Sequence, residues 1–189
     1  MDYLTTMQID GQQVPTLADI LPAAGPMRML VVGKTPSPSS VTAGHHLQSR
    51  QGRLFWRRLE EYNVLPSPGD GYHDEILLGH GFGMINICKQ PLELGSEPSA
   101  DDYRAGWKHV DEVIQRLRPR VVTFVYKGAL DCVLRLSYGW QHSSIYGFNQ
   151  DLTRTMGRRV FAFPLPGTPC TLRESRRAME DLQKIVSTL

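Results

Sequence analysis

Long hydrophobic runs are missing from this sequence: no stretch of about 18 apolar residues occurs, and no basic segment followed by an apolar one opens the chain. Neither a membrane span nor a secretory leader is therefore expected, and the cytoplasm is the default address. Cysteine is scarce. Cys88, Cys132 and Cys170 are odd in number and widely spaced, without a C-x-x-C pair, which argues against a disulfide framework and a cysteine-built zinc site. Three thiols also fall short of the four that hold an iron–sulfur cluster. Neither sign of charge dominates: 21 Lys and Arg against 19 Asp and Glu leave +2, which permits a nucleic-acid partner without demanding one. The phosphate-cradling patterns G-x-x-x-x-G-K-[ST] and G-x-G-x-x-G do not occur, nor does the G-x-S-x-G elbow. Their absence weakens a small-molecule phosphate site at Gly33 to Ser40 and disfavours a Ser-His-Asp hydrolase.

What is present fits one soluble domain. The chain has 189 residues, 41% apolar and 21% charged, enough to enclose one core and a cleft. Residues 1 to 25 are polar and turn-rich and read as an N-terminal arm, with only a short helical turn over Thr16 to Leu21; residues 26 to 189 form the domain. The run Met27 to Val32 stops at Gly33 before a Pro/Ser-rich stretch, as a buried parallel strand ending in a functional loop does. Leu54, Phe55, Leu59 and Tyr62 recur at helical spacing and predict a helix over Arg53 to Tyr62, with another over His73 to Leu78. Ser99-x-x-Asp102 resembles a capping box for a long helix ending before Pro119. Val121 to Tyr126 reads as a strand, Ala129 to Leu136 as a helix, Val160 to Phe163 as a third strand, and Thr171-x-x-Glu174 as the start of the last helix. Alternating helices and buried strands imply an α/β fold, a single three-layer α/β/α domain around a mostly parallel sheet. Arginines cluster at Arg50, Arg53, Arg57 and Arg58, at Arg116 to Arg120, at Arg154 to Arg159 and at Arg173, Arg176 and Arg177, a pattern that solvated faces also show.

Two loops carry the candidate chemistry, Gly33 to Ser40 and Pro164 to Thr171. Glycine allows close backbone approach, proline fixes φ, and hydroxyls and free amides donate to phosphate oxygens, so the pair could pinch a nucleic-acid backbone. Ordinary Pro/Gly turns have the same composition. The order of motifs adds to this. The segment from Val32 through Trp56, with Gly33, Pro36, Ser37, Ser39, Ser40, Gly44, Arg53, Phe55 and Trp56, resembles the first motif region of the uracil-DNA glycosylase superfamily in its mismatch-specific branch. There a strand leads into G-I-N-P-G or G-T-x-P-S, a Ser-Ser pair, a glycine followed by aromatics, and an R-F-W helix. Thr16 to Leu21 resembles the family's T-L-P-D-I-L arm and Gly83 to Lys89 its G-x-T-[ND]-[LM]-V segment. Asp102 to Gly106 resembles its E-[FL]-x-x-G helix start, and Tyr126-Lys127-Gly128 its G-K turn. The resemblance spans about residues 16 to 185.

The resemblance implies a monofunctional glycosylase that flips a deaminated base, uracil or another, out of DNA and hydrolyses its glycosidic bond with water, in base excision repair. It implies no cofactor and no metal, and double-stranded, damaged or mismatched DNA as partner; a monomer is the default. Thr35 stands where the family's water-positioning asparagine would be, and Asn86 is the preferred substitute, so Asn86 and Thr35 are the candidate catalytic pair. Gly33, Lys34, Pro36 and Ser37 would line the base pocket. His46, or else His45, would stand where aromatic residues stack on the flipped base. Ser39, Ser40, Lys127, Gly167, Thr168, Thr171 and Arg173 would contact DNA, and Pro169 or Leu172 would be the wedge that fills the vacated space. Because the water-positioning asparagine is replaced, and the asparagine of the family's second-loop motif N-P-S-G-L-S-R is also missing where this chain has P-G-T-P-C-T-L-R, the alternative is a DNA-binding protein of this fold with little or no catalysis. A lyase route through Lys34 needs a lowered amine pKa that sequence does not reveal.

Overall fold

In the computed structural model, which describes residues 2–93 and 95–188, the opening segment is a β-hairpin rather than a tail. Strand β1 (Leu4–Ile9) pairs antiparallel with β2 (Gln12–Leu17). Asp10 and Gly11 form the turn, both at positive φ (49° and 79°), as the right-handed strand twist favours in a two-residue hairpin loop. Thr16 to Leu21 is extended, not helical: β2 runs to Leu17, and Ile20 exchanges two 2.9 Å backbone bonds with Met84.

The apolar run around Val31 becomes β3 (Met29–Gly33), fully buried. A short helix, α1 (Pro38–Ala43), follows within the Ser-rich loop, and α2 (Arg50–Glu61) starts three residues earlier than its apolar spacing suggests. Ser49 caps it, Oγ accepting from the Gly52 amide at 3.1 Å, and a cap outranks the first apolar position in setting a helix start. His73 to Leu78 forms no α-helix but two 3₁₀ turns, His73–Ile76 and Leu78–His80. Next come β4 (Phe82–Asn86), α3 (Ala100–Leu117) with the expected Ser99/Asp102 box, β5 (Val121–Phe124) and α4 (Lys127–Tyr138). After them lie β6 (Gly147–Asn149), α5 (Gln150–Met156), β7 (Arg159–Ala162) and α6 (Leu172–Ser187), the last capped by Thr171 and Glu174.

The sheet order is β4-β3-β5-β7-β6, parallel except for β6. Strand alternation sorts the core into two layers. Leu30, Val32, Val122 and Phe124 pack under α3, α4 and α5. Met29, Val31, Val121 and Phe161 pack under α2 and α6, where Phe55, Leu59, Met179 and Leu182 close the second layer. The three-layer α/β/α expectation holds, and it brings the loops after β3, β4, β5 and β7 to one edge of the sheet.

Candidate functional site

At the carboxyl edge of the sheet, Gly33 of β3 stands opposite Asn86 of β4. A Cβ on Gly33 would lie 2.2 Å from Asn86 Oδ1, so only glycine lets the amide lie across the neighbouring strand. Asn86 is 1% exposed, and its Nδ2 sits 3.4 Å from His46 Nδ1, while His46 Nε2 is 2.9 Å from the Ala18 carbonyl. A carbonyl only accepts, so Nε2 carries the proton, Nδ1 presents a lone pair, and Asn86 turns its NH₂ toward that lone pair. The amide oxygen is left without a protein donor among the described residues. Burial pulls the His46 pKa below its ordinary value, the Ala18 bond and the Asp74 charge opposing only in part, which favours this neutral tautomer.

The loop that carries His46 is held from several sides. Asp74 is completely buried; one of its carboxylate oxygens accepts the His46 amide at 2.6 Å and the other lies 2.9 Å from His45 Nδ1. Trp56 Nε1 donates to the His46 carbonyl at 3.2 Å, and Arg53 donates to the Gln48 carbonyl. Two members of the R-F-W motif thus brace the backbone of this loop. From the hairpin side, the Tyr3 amide donates to the Gly44 carbonyl at 2.8 Å and the Ala18 amide to the Tyr3 carbonyl at 2.9 Å. On α3, a Cβ at Gly106 would meet the Ile87 carbonyl oxygen at 1.9 Å, so a glycine there lets the helix press against the segment that follows Asn86.

Thr35, Pro36, Ser37, His46 and Asn86, all expected at the site, line one cavity of about 20 Å³ measured for a water-sized sphere. That is room for one water molecule. Ser40, expected on the DNA surface, is buried and lines the same cavity, its hydroxyl accepting the Gln48 amide at 2.9 Å and lying 2.8 Å from Ser37 Oγ. Leu17, Leu47, Ser49 and Tyr126 complete the wall. Sequence reading missed these four; only Tyr126, at the end of a predicted strand, carried a positional signal.

Other expected residues lie apart from the cavity or are already engaged, Gly33 among them, which stands behind the wall against Asn86. Lys34 is not in its wall and instead donates to Glu97 at 2.6 Å and to the Ser96 carbonyl at 3.2 Å. His45 stacks on Tyr72 at a ring separation of 3.6 Å. Lys127 is paired with Asp131 at 2.6 Å, and Asp131 is held further by Ser144. Ser39 is exposed at the start of α1.

The second loop follows β7. Gly167 turns the chain at a φ of 85°, Thr168 Oγ1 donates to the Leu165 carbonyl at 2.7 Å, and Thr171 caps α6. Pro169 and Arg173 are exposed, and Leu172 is 91% exposed. An aliphatic side chain that far into water, on the first residue of a capped helix, is held out rather than packed. Among the described residues no group of three or more His, Cys, Asp and Glu side chains is arranged to hold a metal, and no helix is long and apolar enough to cross a membrane.

The model of the uracil DNA glycosylase superfamily matches residues 23–185. Over 98 residues the chain is 29% identical to a G/U mismatch-specific uracil DNA glycosylase of Schizosaccharomyces pombe (strain 972 / ATCC 24843), a match covering 51% of this chain and 30% of that protein. The chain thus aligns with less than a third of that relative's length. With the family match running through both edge loops and the whole parallel sheet, the chain belongs to the uracil DNA glycosylase superfamily and within it resembles the mismatch-specific branch.

Proposed function

We propose that the protein is a monofunctional DNA N-glycosylase, which flips uracil or another deaminated base out of damaged or mismatched DNA and hydrolyses its glycosidic bond in base excision repair. The observation that carries this reading is the Asn86 amide: buried, oriented by His46, and bordering a cavity the size of one water. An amide oxygen without a protein donor is a ready acceptor for a water proton, and Thr35, in the same wall, adds a hydroxyl. Held there, water attacks the sugar carbon as the bond to the base breaks; the bonding pair leaves with the base as an anion, and the proton shed by the water passes to solvent or to that anion. His46 is the positioning residue in this scheme. Its neutral ring ties Asn86 to the Ala18 carbonyl and leaves the oxygen side of the amide for water. Lys34 is committed to Glu97, which favours water over an amine nucleophile. Leu172 fits the wedge role better than Pro169 because of its reach into solvent.

The test is alkaline cleavage of labelled duplexes carrying uracil, hypoxanthine, xanthine or thymine opposite guanine, under single-turnover conditions. Wild type should cleave at least one of them, and Asn86→Ala should lose about 10²-fold or more in rate, the scale of a reacting group left out of position. Cleavage undiminished in Asn86→Ala would transfer the role to Thr35. A gel shift with no cleavage of any duplex would leave a DNA-binding relative without chemistry.

A further inference from the structure

Helix α2 places Arg50 and Arg53 in its first turn and no acidic residue there, and α6 places Arg173 in its own. Cations at a helix amino terminus oppose the macrodipole. On α2 no acidic residue offsets them, whereas on α6 Glu174 of the capping box stands beside Arg173; a local rule broken at the start of α2, at this sheet edge, calls for a compensating function. These helices are neighbours on the same layer, joined by a hydrogen bond from Arg58 to Ser175. Arg50 and Arg57 are seven residues apart on α2, and Arg173 and Arg177 four apart on α6, so each pair shares one helix face. Both faces are exposed, as is Arg176. Arg50, Arg57, Arg173, Arg176 and Arg177 make no hydrogen bond or ion pair among the described residues. The opposite layer ends differently at the same edge. There α3 opens with Asp101, 93% exposed and paired with Arg104 at 2.8 Å, and with Asp102 of the capping box, and Glu97, 63% exposed and paired with Lys34, lies just ahead of it, so that Arg104 and Lys34 are each already met by a carboxylate.

We infer that the edge is electrostatically one-sided and that duplex DNA leaves the flipping site over the α2/α6 side, its phosphates met by Arg50, Arg173 and Arg177, and away from the acidic start of α3. This rests on the DNA reading above and adds the direction of the footprint. Leu172 anchors one end of the track, since Arg173 adjoins it in sequence.

The test is fluorescence anisotropy of a labelled 25-base-pair duplex between about 50 and 200 mM salt, because each cation withdrawn from a phosphate flattens the slope of log affinity against log salt by about one unit. Arg50→Ala, Arg173→Ala and Arg177→Ala should each flatten it by about that amount, and the triple variant by about three units. Asp101→Lys, on the α3 side, should not steepen it. The Arg50→Ala variant should keep or raise the Tm, since it removes a cation from a positive helix end. A triple variant with the wild-type slope, or a steeper slope in Asp101→Lys, would each overturn the inference while leaving the glycosylase reading in place. A wild-type protein that neither binds duplex nor cleaves it would remove that reading, and the track with it.

Discussion

His46 orients Asn86 only as a neutral ring. Protonation would place a hydrogen on Nδ1, facing the Asn86 NH₂, and the amide would have to turn over or move off. Burial already resists that charge by lowering the pKa from its ordinary 6.5. In the unfolded chain the ring takes up a proton near 6.5 while the folded ring does not, so stability is full above that pH and declines as pH falls from 6.5 toward the lower folded value. Single-turnover cleavage should show an acid limb below pH 6.5. His46→Ala should lose rate and that limb together, whereas His46→Gln, which can donate to Ala18 and accept from Asn86, should recover rate without the limb. A limb that persists in His46→Gln would assign it to another group. At this scale the sequence was partly legible. The family pattern pointed to Asn86 and named His46, but the partner that fixes both, the Ala18 carbonyl, is a backbone atom from a segment read as an arm. No side-chain motif can announce a main-chain acceptor.

The elements were legible where a side chain marks an end. Ser99 with Asp102 and Thr171 with Glu174 start their helices as capping boxes should. The strands β3, β5 and β7 were visible because burial on both faces writes a continuous apolar run. The hairpin escaped notice because its first strand is largely exposed and carries no such run, although Asp10-Gly11 is a hairpin-turn signal. Strand β6 is three residues long and holds one of the glycines at positive φ, Gly147; so short a segment carries no period to read. The loop entering α6 supplies a prediction at this scale. Leu172 is so exposed that Leu172→Ala should leave the unfolding midpoint unchanged. The variant should lower the population of flipped-out uracil, read by 2-aminopurine fluorescence beside the lesion, by about tenfold, which is about 1.4 kcal/mol and part of the few kcal/mol that opening a base step costs. An equal flipped population in the variant would make Pro169 the wedge.

Taken whole, the molecule places a positive helix layer and an acidic helix start on either side of a single sheet edge, and it builds the site between them from three parts of the chain: the hairpin, the loop after β3 and the end of β4. Their closeness leaves a cavity with room for one water. No free base fits a space of that size, so under the proposed function the walls would have to part for a flipped base to enter. A cavity of that size has no room to keep the product. Free uracil added to the reaction, even at millimolar concentration, should therefore leave the cleavage rate unchanged, and an inhibitor of this protein would have to bring a strand of DNA with it.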